Sequence, residues 1–196
     1  MVNPDEITDY NRTDRELEEF MVFAICAAGK NANTTATILN RIFLDFELQG
    51  KMPVFHLSKR AANLANYFRI QGIGCYNSRA KTIRQLHRCI QHDSNFLKTA
   101  TVAELEAIYG IGPKTARFFI MHSRPDQRVA ALDTHILKEL KANGHEVPKA
   151  TPPAGKRYNE LEQLFIKLAD KSGMSVADYD LAVWKKWRKK EFIVAT

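Results

Sequence analysis

Leu105-Glu-Ala-Ile-Tyr-Gly-Ile-Gly-Pro-Lys-Thr-Ala116 is the most informative segment of the chain. A short apolar run, a Gly-x-Gly turn and a proline that opens a second apolar run predict two helices joined by a tight hairpin, over about residues 104–122. Gly110 and Gly112 permit positive φ and a close approach of the backbone to a ligand. Ile111, between them, is expected to plug the space between the helices. Pro113 suits a first helical position, where the N–H lacks an intrahelical partner in any case. Amides at the turn and at the start of the second helix then face outward, where they can hold a phosphate. The same residues also fit a plain glycine turn between packed helices.

Outward from this hairpin, spacings of three and four dominate and strand signals are nearly absent. Asp14 is expected to cap a helix through Leu17, Phe20, Met21, Ala24 and Ile25 that stops near Gly29. Asn33 or Thr34 starts a second helix ending before Gly50. Leu57, Ala61, Leu64 and Phe68 mark a further helix beyond Pro53. Ala80 to Ile90 follows, with a basic face of Arg79, Lys81, Arg84 and Arg88. Later helices read at Lys114–His122, Thr134–Ala142, Tyr158–Ser172 and Val176–Lys190. The expectation is an all-α chain of about nine helices without an internal repeat.

The 196 residues, 45% hydrophobic and 26% charged, fit one domain or two small lobes and exclude a disordered or collagen-like chain. The longest apolar run, Phe20 to Ala28, is too short to span a bilayer, and no leader-like segment opens the chain. Cys26, Cys75 and Cys89 have neither the number nor the spacing of a disulfide framework or a metal site. A reducing compartment, cytoplasm with its nucleoid or a nucleus, is the expected setting. No membrane association and no metal are expected, the six histidines being scattered.

The net charge of +7 is unevenly distributed. Residues 1–50 carry 4 basic and 9 acidic groups, residues 51–149 carry 16 and 7, and residues 150–196 carry 9 and 6. An acidic head beside a basic middle and tail suggests one face built for a polyanion, and with the hairpin that polyanion is DNA, gripped through its backbone.

Two residues add chemistry. Lys114 falls in the first turn of the second hairpin helix, an electropositive place that suits a structural cation poorly and a free-amine nucleophile better. Nineteen residues on, Val129-Ala-Ala-Leu-Asp-Thr-His-Ile136 sets Asp133 between an apolar run and a helix start. Singly, Lys114 also reads as a phosphate contact and Asp133 as an N-cap. Jointly they are an amine and a carboxylate able to displace a base at a sugar C1′ through a cation-like transition state.

Gly110-Ile-Gly-Pro-Lys114 followed by Leu132-Asp-Thr-His-Ile136 resembles the helix–hairpin–helix DNA glycosylase superfamily, and specifically its bifunctional members. Gly74-Cys-Tyr-Asn-Ser-Arg-Ala-Lys-Thr-Ile83 is similar to a stretch of endonuclease III. Ala131–Leu140 and Asp178-Tyr-Asp-Leu-Ala-Val-Trp-Lys-Lys-Trp187 look more like type-2 8-oxoguanine glycosylases.

The resemblance implies a two-lobed helix–hairpin–helix fold with a DNA-binding cleft between the lobes. One domain would span residues 14–123, and a second would join residues 1–13 to 124–196. It implies a cofactor-free monomer, acting on double-stranded DNA with a damaged base, as a glycosylase and AP lyase. Lys114 would attack C1′ of a flipped nucleotide and hold the sugar as a Schiff base, with Asp133 stabilising positive charge. 8-Oxoguanine is the expected substrate. The alternatives are an endonuclease III-like enzyme for oxidised pyrimidines, a monofunctional glycosylase, and a non-catalytic DNA-binding module. No cysteine follows Cys89, so the four-cysteine iron–sulfur cluster of endonuclease III is excluded. Type-2 8-oxoguanine enzymes commonly end at a lysine whose carboxylate helps recognise the base, whereas this chain continues through Lys189 to Thr196.

Gly110, Ile111, Gly112, Lys30, Asn31 and Arg79 are the expected DNA contacts. Asn31, and with it Lys30, lies in the turn where relatives place the residue that fills the hole left by a flipped base, though Asn31 also reads as an N-cap. Phe118 and Trp184 are candidate walls of the base pocket; each also reads as core, the commoner role for a tryptophan on such a helix.

Overall fold

The computed structural model describes residues 1–60 and 63–194, the last six of these as backbone. Among the described residues the chain is all helical. After a 3-10 turn at Pro4–Glu6 come α1 (Asp14–Ala27), α2 (Ala32–Leu48), α3 (Pro53–Lys59), α4 (Leu64–Ile70), α5 (Tyr76–His92) and α6 (Phe96–Thr99). They are followed by α7 (Val102–Glu106), α8 (Pro113–Ser123), α9 (Thr134–Ala142), α10 (Lys156–Ser172) and α11 (Val176–Val194). Among the described residues eleven α-helices thus replace the expected nine, the additions being short. No described helix is long and apolar enough to cross a membrane.

Contacts divide the chain into two compact units, Met1–Ile111 and Gly112–Thr196. The division falls inside the hairpin rather than at residue 123, because α8 packs with α11. Residues 1–13 group with the first unit: Val2 exchanges two 2.8 Å hydrogen bonds with the Asn40 side chain, and the terminal amine lies 3.1 Å from Glu19.

The first unit is built around α1, which is buried along almost its whole length and packs on α2, α3, α5 and α6. Its start is set by Thr13, not Asp14. Thr13 and Glu16 form a reciprocal capping box that satisfies two orphan donors. Two carboxylates on α1, Glu18 and Glu19, are buried. Glu18 accepts the Val54 N–H at 2.7 Å, capping α3 from outside, since the N-cap residue Met52 has no side-chain acceptor. Burial pushes Glu18 up to about 7, against the opposing hydrogen bond from Val54. The buried Cys26 thiol is pushed up to about 12, which makes it a packing group rather than a nucleophile.

Beyond Pro53 the expected single helix is two. Arg60 N–H turns back to Leu57 O and Asn63 N–H to Arg60 O, closing α3 and re-aiming the chain before α4. Ala61, which the spacing placed on that helix, lies outside the described residues. α5 begins a turn earlier than expected, at Tyr76, behind Cys75 in the left-handed region (φ 53°).

The second unit packs α8 to α11 around Met121, Leu132, Leu140, Leu161, Phe165 and Val183. Glu139 on α9 is a buried fastener. It accepts from Lys186 Nζ at 2.6 Å and from Trp187 Nε1 at 2.8 Å, joining α9 to α11. Despite the cost of burial, these bonds hold its carboxyl below the usual range.

Candidate active site

α8 starts where it does because Gly112 is extended (φ −93°, ψ 178°) and Pro113 takes the first helical position. No side chain caps this end, so the first-turn amides of Lys114 and Thr115 have no capping partner. Gly110 alone of the two hairpin glycines has a positive φ, 83°. A Cβ there would also lie 2.4 Å from Thr82 Oγ1 of α5, so only glycine fits. At Gly112 a Cβ would meet nothing within 4 Å. The expected positive φ at Gly112 is therefore corrected: an extended N-cap needs none. Ile111 is buried as expected, and its N–H donates to Ile108 O at 3.0 Å, so that amide closes the turn instead of facing a ligand.

Lys114 and Asp133 come together. Nζ lies 3.4 Å from Oδ2, with the lysine side chain 46% exposed and the aspartate 21%. The cap and the approach to the amine use different oxygens of Asp133. Oδ1 accepts the N–H groups of His135 and Ile136 at 2.8 and 2.9 Å, capping α9, while Oδ2 faces the amine.

The segment leading into Asp133 is fixed by groups absent from the sequence-based expectation. Tyr158 of α10 is fully buried; its hydroxyl donates to Ala130 O and accepts from Leu132 N–H, both at 3.0 Å. Glu162, one turn on, accepts from Ala130 N–H at 2.8 Å and from Arg117 Nε of α8 at 2.8 Å. The Arg117 guanidinium sits 4.5 Å over the Tyr158 ring. Arg117 shares its helix with Lys114, so one buried network ties the helix of the amine to the segment that leads into the carboxylate. A readable signal existed: Glu162 lies on the apolar face of α10 with Tyr158, Leu161, Phe165 and Ile166.

A second carboxyl stands behind the pair. Asp180 of α11 faces the fully buried His122 of α8, Oδ2 to Nε2 3.2 Å. Burial raises the Asp180 pKa; the His122 bond opposes the rise, the Asp133 charge adds to it, and the Lys114 charge opposes it. Lys114, Phe118 and His122 follow at intervals of four along α8. Phe118 is half-buried against the core of the second unit, its ring centroid 4.8 Å from that of His122. Trp184 is half-buried with the Arg188 guanidinium 4.5 Å over its ring. Described backbone continues helical past Arg188 to Val194; residues 195 and 196, with the chain's end, lie outside the described residues.

In the first unit, Asn31 is exposed and caps α2, accepting Thr34 N–H at 2.9 Å. Lys30 is exposed and packs across Gly74, where a Cβ would stand 3.0 Å from its Cε. Arg79 is corrected: it is buried, not part of a basic face, and donates to the carbonyls of Gly74 and Ala28. Its guanidinium staples together the two turns that carry Lys30 and Cys75. Among the described residues no group of three or more His, Cys, Asp or Glu could hold a metal ion.

The Ogg-HhH family model, 8-oxoguanine DNA glycosylase, matches residues 4–174. An 8-oxoguanine DNA glycosylase/AP lyase of Methanocaldococcus jannaschii is 26% identical over 185 residues, covering 89% of this chain and 81% of that one. A Thermotoga maritima protein of the same name is 35% identical over 77 residues, 38% of this chain and 36% of its own. The crystal structure of the M. jannaschii 8-oxoguanine glycosylase/lyase in complex with a 15mer DNA containing 8-oxoguanine has a TM-score of 0.68 at 24% identity, covering 92% of this chain and 85% of that one. That of the Thermotoga maritima 8-oxoguanine DNA glycosylase has the same TM-score and coverage at 25% identity.

Proposed function

The chain belongs to the helix–hairpin–helix 8-oxoguanine DNA glycosylase family, and from that premise we propose that it excises 8-oxoguanine from double-stranded DNA and then cleaves the strand as an AP lyase. The observation that carries the reading is the approach of Lys114 Nζ to Asp133 Oδ2 at 3.4 Å, with the carboxylate held from behind by two backbone amides.

The target nucleotide leaves the stack, because C1′ of a stacked nucleotide is beyond a side chain's reach. The Lys114 amine bonds to C1′ as the C1′–N9 bond breaks, and that electron pair leaves with the base, which takes up a proton. Asp133 stabilises the positive charge that develops at the sugar. Nζ loses a proton, the sugar ring opens, and an imine joins protein and DNA. Loss of a C2′ proton then expels the 3′ phosphate by β-elimination. Gly112, whose α carbon has open space around it, with the uncapped amides of Lys114 and Thr115, supports a phosphate seat at the start of α8. Asn31, and with it Lys30, fills the hole left by the flipped base and serves the orphaned base opposite, and Phe118 and Trp184 line the base pocket.

The test is a panel of duplexes carrying 8-oxoguanine, thymine glycol, dihydrouracil, uracil or a G·T mismatch, scored for base release and for nicking. Release and nicking at 8-oxoguanine first is the expected result. A preference for thymine glycol or dihydrouracil would assign oxidised pyrimidines instead, and release without nicking would remove the lyase step.

A further inference from the structure

Tyr109, the residue before Gly110, is 44% exposed, yet it is held in place from several sides. Its N–H donates to Gln85 Oε1 of α5 at 2.7 Å. Its neighbour Gly110 abuts Thr82 of the same helix so closely that no Cβ fits. Lys81, also on α5 and itself exposed, rests its Nζ 3.9 Å from the centre of the Tyr109 ring. Lys81, Thr82 and Gln85 thus form a mount on one helix for the start of the hairpin turn, and all of these residues belong to the first unit.

The Tyr109 ring is open to solvent on part of its surface, and among the described residues the cation above it has no carboxylate partner. A lysine on a flexible stem loses rotamer freedom whenever it binds an anion. One already resting on an aromatic face has lost part of that freedom beforehand. We propose that Lys81, perched on Tyr109, contacts a phosphate of the DNA backbone in addition to the one taken by the hairpin. Tyr109 is the positioning residue and Lys81 supplies the charge. The site reads no sequence, because a point charge on a phosphate carries none. The proposal rests on the DNA-binding reading of the hairpin given above.

The experiment measures binding of the full chain to an undamaged duplex over a range of salt concentrations, for wild type, Lys81→Gln, Lys81→Arg and Tyr109→Leu. Each phosphate neutralised contributes about 0.9 to the slope of log K against log salt. Lys81→Gln is expected to lower the slope by about that amount, Lys81→Arg to retain it, and Tyr109→Leu to lose about threefold in affinity with most of the slope kept. Melting curves accompany each variant, and Lys81 is exposed, so its replacements fold. A Lys81→Gln slope equal to wild type overturns the contact while leaving the glycosylase reading intact, provided the wild type nicks damaged duplex. A wild type with neither salt-dependent binding nor nicking overturns both.

Discussion

Asp133 divides its work between its two carboxylate oxygens: Oδ1 is bound by the amides of His135 and Ile136, and Oδ2 lies 3.4 Å from Lys114 Nζ. The cap does not compete with the chemistry. It fixes the carboxylate plane, so that the second oxygen is presented to the amine without a conformational search.

This division separates two substitutions. Asp133→Asn keeps an oxygen for the cap and loses the charge, so base release is expected to fall by about 10²-fold or more with the melting temperature nearly unchanged. Asp133→Ala loses both and costs about 1 kcal/mol of stability besides. Single-turnover rates and thermal melts of the two variants, side by side, check the division; equal melts would remove the capping role.

Tyr158→Phe removes the hydroxyl that bridges Ala130 O and Leu132 N–H, leaving them only their own 3.1 Å hydrogen bond. Because the two groups keep each other, the stability loss is expected to be about 1–2 kcal/mol in all, the net worth of the two lost hydrogen bonds. Because Leu132 precedes Asp133, base release is expected to fall further than duplex affinity does. A variant that melts lower but releases base at the wild-type rate would show the network to be purely structural.

Arg79→Met is expected to act on folding before it acts on binding. Its guanidinium serves two carbonyls in the interior of the first unit, so the unfolding midpoint falls while the salt slope of duplex binding stays as in the wild type. A lowered slope with an unchanged midpoint would return Arg79 to the DNA surface.

Glu18 makes stability depend on pH in a direction unusual for a carboxylate. Its folded value, about 7, lies above the reference of 4.5. Between those two the folded state holds a proton that the unfolded state releases. Stability is therefore greatest below the reference value, declines as pH rises toward 7, and is level above it. The decline is on the order of 3 kcal/mol, and Glu18→Gln, which keeps an oxygen for Val54 N–H, is expected to remove most of it. Denaturant midpoints of both proteins at pH 5 and pH 8 measure the difference.

The hairpin and the two members of the Lys114–Asp133 pair were legible in the sequence because each depends on local rules: glycine and proline punctuation, a helix start, an apolar run before an aspartate. Helix existence was legible for the same reason, and the helix ends less so. Thr13 and Asp14 both suit an N-cap, and only the reciprocal Glu16 bond decides between them. Arg79 was read as exposed because four basic residues within ten positions suggest a solvated face; its burial depends on two carbonyls, one of them 51 residues away. The Arg117–Glu162–Tyr158 network spans 45 residues of chain and obeys no spacing rule, though a glutamate on the apolar face of α10 marks its presence.

The central claim is that Lys114 is the nucleophile, and covalent capture tests it most directly. Wild-type protein and Lys114→Gln are incubated with duplex containing 8-oxoguanine in the presence of borohydride, and the adduct is resolved by denaturing electrophoresis and located by peptide mass. An adduct is expected in the wild type, carried on Lys114, and none in Lys114→Gln. An undiminished adduct in the variant, or one carried by another lysine, would contradict it.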